Sequence, residues 1–199
     1  FTRLFRLAHA VKARRHDPDA DDFLRRMTAA AVREHETCWL GEKPPHERLK
    51  YRGLSRYFDI NYSHFLASCE SGWDHSTRCD GDRPGTEAGR WLDFVPVCLN
   101  SILYARERDL EWAFDRLGDA AHARYWGQAA DERAATIRDV FWDPDREFFF
   151  DFDWKAGERS PCPSAAGFYP LWAGWATREQ ASAVVSRWLP HFLVAGGVV

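Results

Sequence analysis

Between Cys69 and Arg78 the chain reads Cys69-Glu70-Ser71-Gly72-Trp73-Asp74-His75-Ser76-Thr77-Arg78. Two carboxylates, an indole and a guanidinium therefore share one short segment. Ser71 and Gly72 let the backbone approach a ligand closely, since glycine has no Cβ to obstruct it. Trp73 offers a flat apolar wall with one N–H donor. A carboxyl group held against an indole in a partly dry cleft has its pKa raised, which suits a general acid near neutral pH. Glu70 and Asp74 are the candidates for that work. Arg78 can orient a carboxylate or bind sugar hydroxyls through its donor fork. The same residues admit a plainer arrangement, in which Glu70 and Arg78 form a surface ion pair and Trp73 packs into the core. The chemistry by itself leaves both open. Asp59 in the stretch YFDIN is a further carboxylate, and a loop-capping role is the reading preferred for it.

Other chemistries find no support. The sequence contains no G-x-x-x-x-G-K-[ST], no G-x-G-x-x-G and no G-x-S-x-G, which removes phosphate loops and the nucleophile elbow. None of the eight His falls in an H-E-x-x-H pattern. Glu34-His35-Glu36 has metal-binding residue types, but successive helical residues point about 100° apart and do not converge on one ion. Asn61-Tyr62-Ser63 satisfies the glycosylation sequon, with no secretion signal to support its use.

The elements that must position these residues are mostly helical. Leu4, Leu7, Ala8 and Val11 describe one face of an opening helix. Asp19 or Asp21 is placed to cap a helix reaching about Leu40, with Phe23, Leu24, Met27, Ala30, Ala31 and Glu34 on one buried stripe. Pro96 suits a first helical turn, and Leu99, Leu103, Leu110, Phe114 and Leu117 mark a long helix stopped at Gly118. Another runs from about Asp119 to Phe141. Asp143-Pro144-Asp145-Arg146 is turn-forming and Glu147 to Asp153 is strand-like, which predicts a small β-hairpin between helices. Thr177 and Gln180 form a capping box for a helix to about Leu189. Residues 41–64 and 68–91 are the long connections, and long loops in compact domains are usually functional.

Composition narrows the classes. The chain has 199 residues, 27 Lys+Arg against 30 Asp+Glu and a formal charge of −3, which removes the electrostatic case for binding nucleic acid. Nothing approaches the ~20 apolar residues of a membrane span. Five cysteines without a C-x-x-C pair argue against a disulfide scaffold or zinc ribbon and fit a reducing, cytoplasmic setting. Ten Trp and fourteen Phe suit a heavily aromatic core, the preferred reading of the count alone, or the flat surfaces of a sugar cleft.

ESGWDHSTR at 70–78 resembles the E-S-G-W-D-x-S-x-R signature of trehalases, glycoside hydrolase family 37. Three more segments follow in the family's order. FVPVCLNSILYARERDL at 94–110 is similar to V-P-V-D-L-N-x-x-L-Y, FWDPDREFFFDFD at 141–153 to the W-D-x-x-x-G-x-x-x-D-Y-D hairpin, and FYPLWAGWA at 168–176 to x-x-P-L-W-A-G. The resemblance implies an all-α fold, an (α/α)6 barrel or six-hairpin toroid, and an inverting α-glycosidase acting on a small carbohydrate such as trehalose. It implies that Asp74 is the general acid, that Gly72 and Trp73 line the sugar pocket, that Glu70 and Arg78 bind the substrate with them, and that no metal or organic cofactor is needed.

The departures carry information too. The P-R-P-E-S stretch ahead of the acid loop is missing, and GLSRYFDINYSHFLASCESGWD is closer to family 63 barrels, which include glucosylglycerate and mannosylglycerate hydrolases. Such a substrate would call on Arg56 or Arg78 for the glycerate carboxylate. Cys98 stands where the family usually has Asp, and Cys79 where it has an aromatic residue. Inverting hydrolysis needs a general base ~6.5–9.5 Å from the acid. In the family that base lies beyond a segment that AGGVV at 195–199 resembles in its opening, and the early P-G-G-R-F and Q-P-P signatures are absent. The expectation is one partial barrel domain over 1–199, truncated at both ends and inactive alone. A non-catalytic helical toroid that binds a sugar or a protein is the alternative of another class.

Overall fold

The computed structural model describes residues 2–73, 76–80 and 89–198. Two helices, α1 (Thr2–Arg14) and α2 (Ala20–Glu34), pack as an antiparallel hairpin, and α2 runs on through a π-helical turn at His35–Trp39. Asp19 occupies the N-cap position of α2 without a side-chain bond to it, while Asp21 and Asp22 place negative charge in the first turn where the helix dipole favours it. The buried positions of α2 are Ala20, Leu24, Thr28 and Ala31, and Ala30 and Glu34 face outward. The stripe is narrower than the sequence suggests, because Glu34 turns to pair with Arg106.

The face of α1 departs from expectation. Phe5 and His9 are buried, whereas Leu4 is 66% and Leu7 63% exposed. Phe5 joins Leu24, Leu110, Ala113 and Trp126 in a compact cluster, and His9 meets the Trp112 ring edge-on and bonds Asp21 at 3.1 Å. Arg6 ties the same face to Asp109 at 2.6 Å. An aromatic ring and two polar partners set the helix's rotation in place of the aliphatic stripe.

A two-stranded hairpin follows, β1 (Leu49–Tyr51) and β2 (Leu54–Ser55), turning at Arg52 and Gly53, both with positive φ. Then come α3 (His64–Ser71), β3 (Phe94–Val95), and the central pair α4 (Val97–Arg116) and α5 (Ala120–Phe141). Pro96 takes the N-cap position of α4, and Asp119 caps α5 by accepting from the His122 amide at 3.1 Å. Between them Gly118 adopts φ 78°, the left-handed conformation that the expected stop requires. Small residues on α5 (Ala123, Gly127, Ala130, Ala134) let α4 approach closely, and a Cβ on Gly127 would lie 2.7 Å from Glu111 Oε1.

The expected β-hairpin is present between helices. β4 (Trp142–Asp143) pairs with β5 (Phe148–Phe149), and β6 (Phe152–Asp153) lies between β3 and β7 (Glu158–Arg159) in a second antiparallel sheet. Helix α6 (Tyr169–Ala173) packs on α4. The last helical stretch comprises α7 (Arg178–Ala183), a π-helical turn at Val184–Trp188 and α8 (Leu189–Phe192), with the Thr177–Gln180 capping box formed. Strands β8 (Leu193–Val194) and β9 (Gly197–Val198) close the described chain. The main core gathers Trp91, Phe94, Phe141, Phe148, Phe149, Phe150 and Trp175 where α4, α5 and the sheets meet. Among the described residues no helix is long and apolar enough to cross a membrane.

Candidate active site

Helix α3 delivers the site loop. Ser63 caps its start by accepting from the Leu66 amide, and Gly72 ends it at φ 70°. That left-handed conformation, with open space where a Cβ would stand, is the local reason for glycine here. Ser71 Oγ then donates to the Ser68 carbonyl at 2.6 Å and accepts from the Trp73 amide at 2.9 Å. The Ser76 amide donates to the Trp73 carbonyl at 3.1 Å, and Ser76 Oγ caps the 3-10 turn Thr77–Cys79. Asp74, the expected general acid, lies outside the described residues. The residues on either side of the Asp74-His75 pair are anchored to one another.

Arg78 is 1% exposed. Its Nε and Nη2 each donate to Asp151 at 2.7 Å, and Asp151 Oδ1 also accepts from the Val97 amide at the start of α4 at 2.8 Å. Burial alone would lower the pKa of this guanidinium, but the charge of Asp151 and its hydrogen bonds outweigh that and hold it well above the usual arginine value. The Arg78 guanidinium carbon sits 4.7 Å from the centroid of the Trp73 ring and 5.6 Å from that of Trp91. Trp73 in turn meets Tyr169 at 6.4 Å, and Tyr169 meets Trp172 at 5.9 Å. Tyr169 and Trp172, with Ile102, Ala165 and Phe168, line a cleft of about 570 Å³. Such a wall of aromatic faces suits the apolar C–H surfaces of a sugar ring.

Glu70 takes a different direction from Arg78. Its Oε1 accepts from Arg48 Nε and Nη2 and its Oε2 from the Phe58 amide at 2.8 Å, so it braces α3 against residues 48–58. The surface ion pair between Glu70 and Arg78 does not form, and Arg78 is buried on Asp151 instead. Trp73 is half-buried against the main core, as its plainer reading required, yet it also borders Tyr169. Asp59 caps its own loop, accepting from the Asn61 and Ser63 amides. Glu34 and His35 diverge, the first to Arg106 and the second to Glu107.

Two residues of the site emerge only from the structure. Asp151 lies within FWDPDREFFFDFD at 141–153, where nothing local marks it as the partner of an arginine 73 positions earlier. Tyr57 lies deep in the core with its hydroxyl 3.8 Å from Cys98 Sγ, and Arg78 Nη2 reaches the same sulfur at 3.3 Å. Burial, reinforced by Cys98, pushes the Tyr57 phenol well above its ordinary value. Cys79 is fully buried and its thiol is pushed up by the same cause.

The sequence model of the family described as Trehalase matches residues 7–199. The chain belongs to the trehalase family. A probable trehalase of Eremothecium gossypii is 29% identical over 231 residues, which cover 92% of this chain and 31% of that protein. The cytosolic neutral trehalase of Saccharomyces cerevisiae is 30% identical over 234 residues, with the same coverage of each. The chain thus spans about a third of the length of these relatives. Among solved structures, neutral trehalase Nth1 from Saccharomyces cerevisiae superposes with a TM-score of 0.76 at 25% identity, over 99% of this chain and 44% of that one. A family 63 mannosylglycerate hydrolase from Thermus thermophilus shares the fold with a TM-score of 0.66 at 22% identity, over 96% of this chain and 50% of that one. The helical hairpins of this trehalase-family chain are accordingly part of an (α/α)6 toroid.

Proposed function

We propose that this chain forms the acid-bearing part of an inverting α-glycoside hydrolase that cleaves trehalose. Asp74 protonates the glycosidic oxygen as the bond to the anomeric carbon breaks, and a second carboxylate activates water on the opposite face of the ring. Since the chain spans 31% of the relatives' length, that base is assigned to the rest of the toroid. Gly72 and Trp73 border the sugar, Glu70 braces the helix that presents them, and Arg78 holds the loop. Two carboxylates and a water suffice, so the reaction calls for no cofactor. The observation that carries the reading is Trp73, fixed between Arg78 and Tyr169 immediately before the acid and beside an aromatic cleft.

A charged glycoside is the less favoured substrate. Arg56 is buried, with Nη1 donating to the Leu92 carbonyl, Nε to the Glu47 carbonyl and Nη2 to Glu47 Oε1. Arg78 is committed to Asp151 through two of its three nitrogens. Both guanidinium groups proposed for a glycerate carboxylate therefore have protein partners already. A cytosolic location is part of the proposal, supported by the name of the cytosolic neutral trehalase relative and by five cysteines that are all unpaired. In the full-length enzyme, Asp74→Asn is expected to lower kcat on trehalose by roughly 10²–10⁴-fold while the protein stays folded. Unchanged turnover, or turnover of glucosylglycerate in preference to trehalose by the unaltered enzyme, would overturn it.

A further inference from the structure

We infer that Asp151 is a positioning residue of the proposed reaction, acting through Arg78 to fix Trp73, the residue immediately before the proposed acid Asp74 in the sequence. The inference rests on the glycosidase reading above and concerns a residue that touches no substrate in it. Asp151 and Arg78 are both buried and joined by two parallel bonds of 2.7 Å, the planar geometry in which a guanidinium has no freedom to swing. The backbones are cross-linked as well: the Ser160 amide donates to the Asp151 carbonyl at 2.8 Å, and Ser160 Oγ donates to the Arg78 carbonyl at 3.4 Å. A third bond, from the Val97 amide, fastens Asp151 to the first turn of α4.

This arrangement transmits orientation. With Nε and Nη2 held, the plane of the guanidinium is set, and Trp73 packs against it at 4.7 Å. Trp73 is held from the backbone side too, by Ser71 Oγ at its amide and Ser76 at its carbonyl. Arg78 Nη1 has no hydrogen-bond partner among the described residues, so at most that nitrogen remains for anything entering the cleft. Asp151 thus decides whether Arg78 serves as a fixed support or as an unpaired buried cation. Misplacing a reacting group by ~1 Å costs about 10²-fold in rate.

Leaving-group dependence tests this in the full-length enzyme. In trehalose the glycosidic oxygen must take the acid's proton so that the leaving sugar departs as glucose rather than as an alkoxide, whereas α-glucosyl fluoride loses fluoride without full proton transfer. Asp151→Asn is expected to lower kcat on trehalose about 10²-fold, with KM within about threefold of the parent, and to leave glucosyl fluoride turnover within about tenfold. Asp74→Asn serves as the reference and should show the same split at least as strongly. Should Asp151→Asn fail to fold, the double variant Arg78→Met/Asp151→Leu replaces the buried pair by apolar groups of similar size and is expected to fold; it should show the split. If Asp74→Asn shows no split, the assignment of the acid falls. If Asp74→Asn shows it while the Asp151 variants lose both substrates equally or neither, the positioning role falls.

Discussion

The ion cluster beneath the hairpins gives the most exacting stability test. Glu107 on α4 is 2% exposed and accepts from Arg133 Nε at 2.8 and 2.9 Å and from His35 Nε2 at 3.2 Å. Arg133 also donates from Nη1 to the Gly53 carbonyl and to Asn100 Oδ1, each at 3.3 Å. Replacing Glu107 with Gln keeps the shape but leaves the Arg133 guanidinium, 7% exposed, without its counter-charge. Breaking one side of a buried pair costs about 3–5 kcal/mol, mainly the unrelieved desolvation of the surviving charge. The amide can still accept one bond, which places the expectation at the lower end, about 3 kcal/mol. Urea unfolding of the full-length enzyme at pH 7.5, followed by Trp fluorescence, should show the midpoint falling with little change in slope. A loss below about 1 kcal/mol, the range of an exposed pair, would refute the reasoning. So would a Glu107→Gln/Arg133→Met double variant less stable than Glu107→Gln, because removing the stranded cation should recover stability.

Three further outcomes follow from the same geometry. Burial holds the His35 imidazole below its ordinary value despite the hydrogen bond to Glu107, so the unfolded chain takes up the proton first as pH falls. Stability should be full above about pH 6.5 and decline below it by at most about 1.4 kcal/mol per pH unit, with His35→Gln flattening that slope in urea titrations. Burial would raise the Glu107 pKa, but Arg133 and His35 bring it below the usual carboxylate value, so its contribution is lost only at more acid pH. Thr177→Ala removes a cap with both bonds of the capping box made and should cost about 1 kcal/mol by thermal unfolding. Gly167→Ala would put a Cβ 2.3 Å from Phe148 Cζ and 2.7 Å from the Phe149 carbonyl oxygen, and should cost about 1–3 kcal/mol or more.

Elements held by local chemistry were legible in the sequence, and those held by distant partners were not. The α4–α5 hairpin follows from its leucine spacing, Pro96, Gly118 and Asp119, all acting within a few residues of one another. The Thr177–Gln180 box is likewise local. The rotation of α1 escapes the sequence pattern because Phe5 and His9 outweigh Leu4, Leu7, Ala8 and Val11 only once Trp112, Trp126 and Asp109 are in place. At the site, the spacing of residues 70–78 brought out Gly72, Trp73 and Arg78 together. Nearness in sequence suggested Glu70 as the partner of Arg78. Helix α3 sends Glu70 toward Arg48, and the true partner, Asp151, comes from the connection between β5 and β6, 73 positions later.

Helix α4 explains why the polar part of the design escapes an apolar pattern. It is enclosed on nearly every side, and its buried positions include Asn100, Ser101, Arg106, Glu107 and Asp109. Each reaches a different neighbour. Asn100 bonds β2 through Ser55, Ser101 accepts from the Trp175 indole at 3.0 Å, Arg106 meets Glu34, Glu107 meets Arg133 and His35, and Asp109 meets Arg6. The Val97 amide, left without a helical partner in the first turn, is taken by Asp151. A hydrophobic core alone tolerates small slips between packed helices, since its attraction is non-directional. Hydrogen bonds and buried ion pairs made to five separate elements do not tolerate them. The helix therefore sets the register of its surroundings, and its first turn is the end that meets the Arg78–Asp151 pair. The proposed positioning role of Asp151 begins there: the carboxylate that takes the Val97 amide also holds Arg78, against which Trp73 packs.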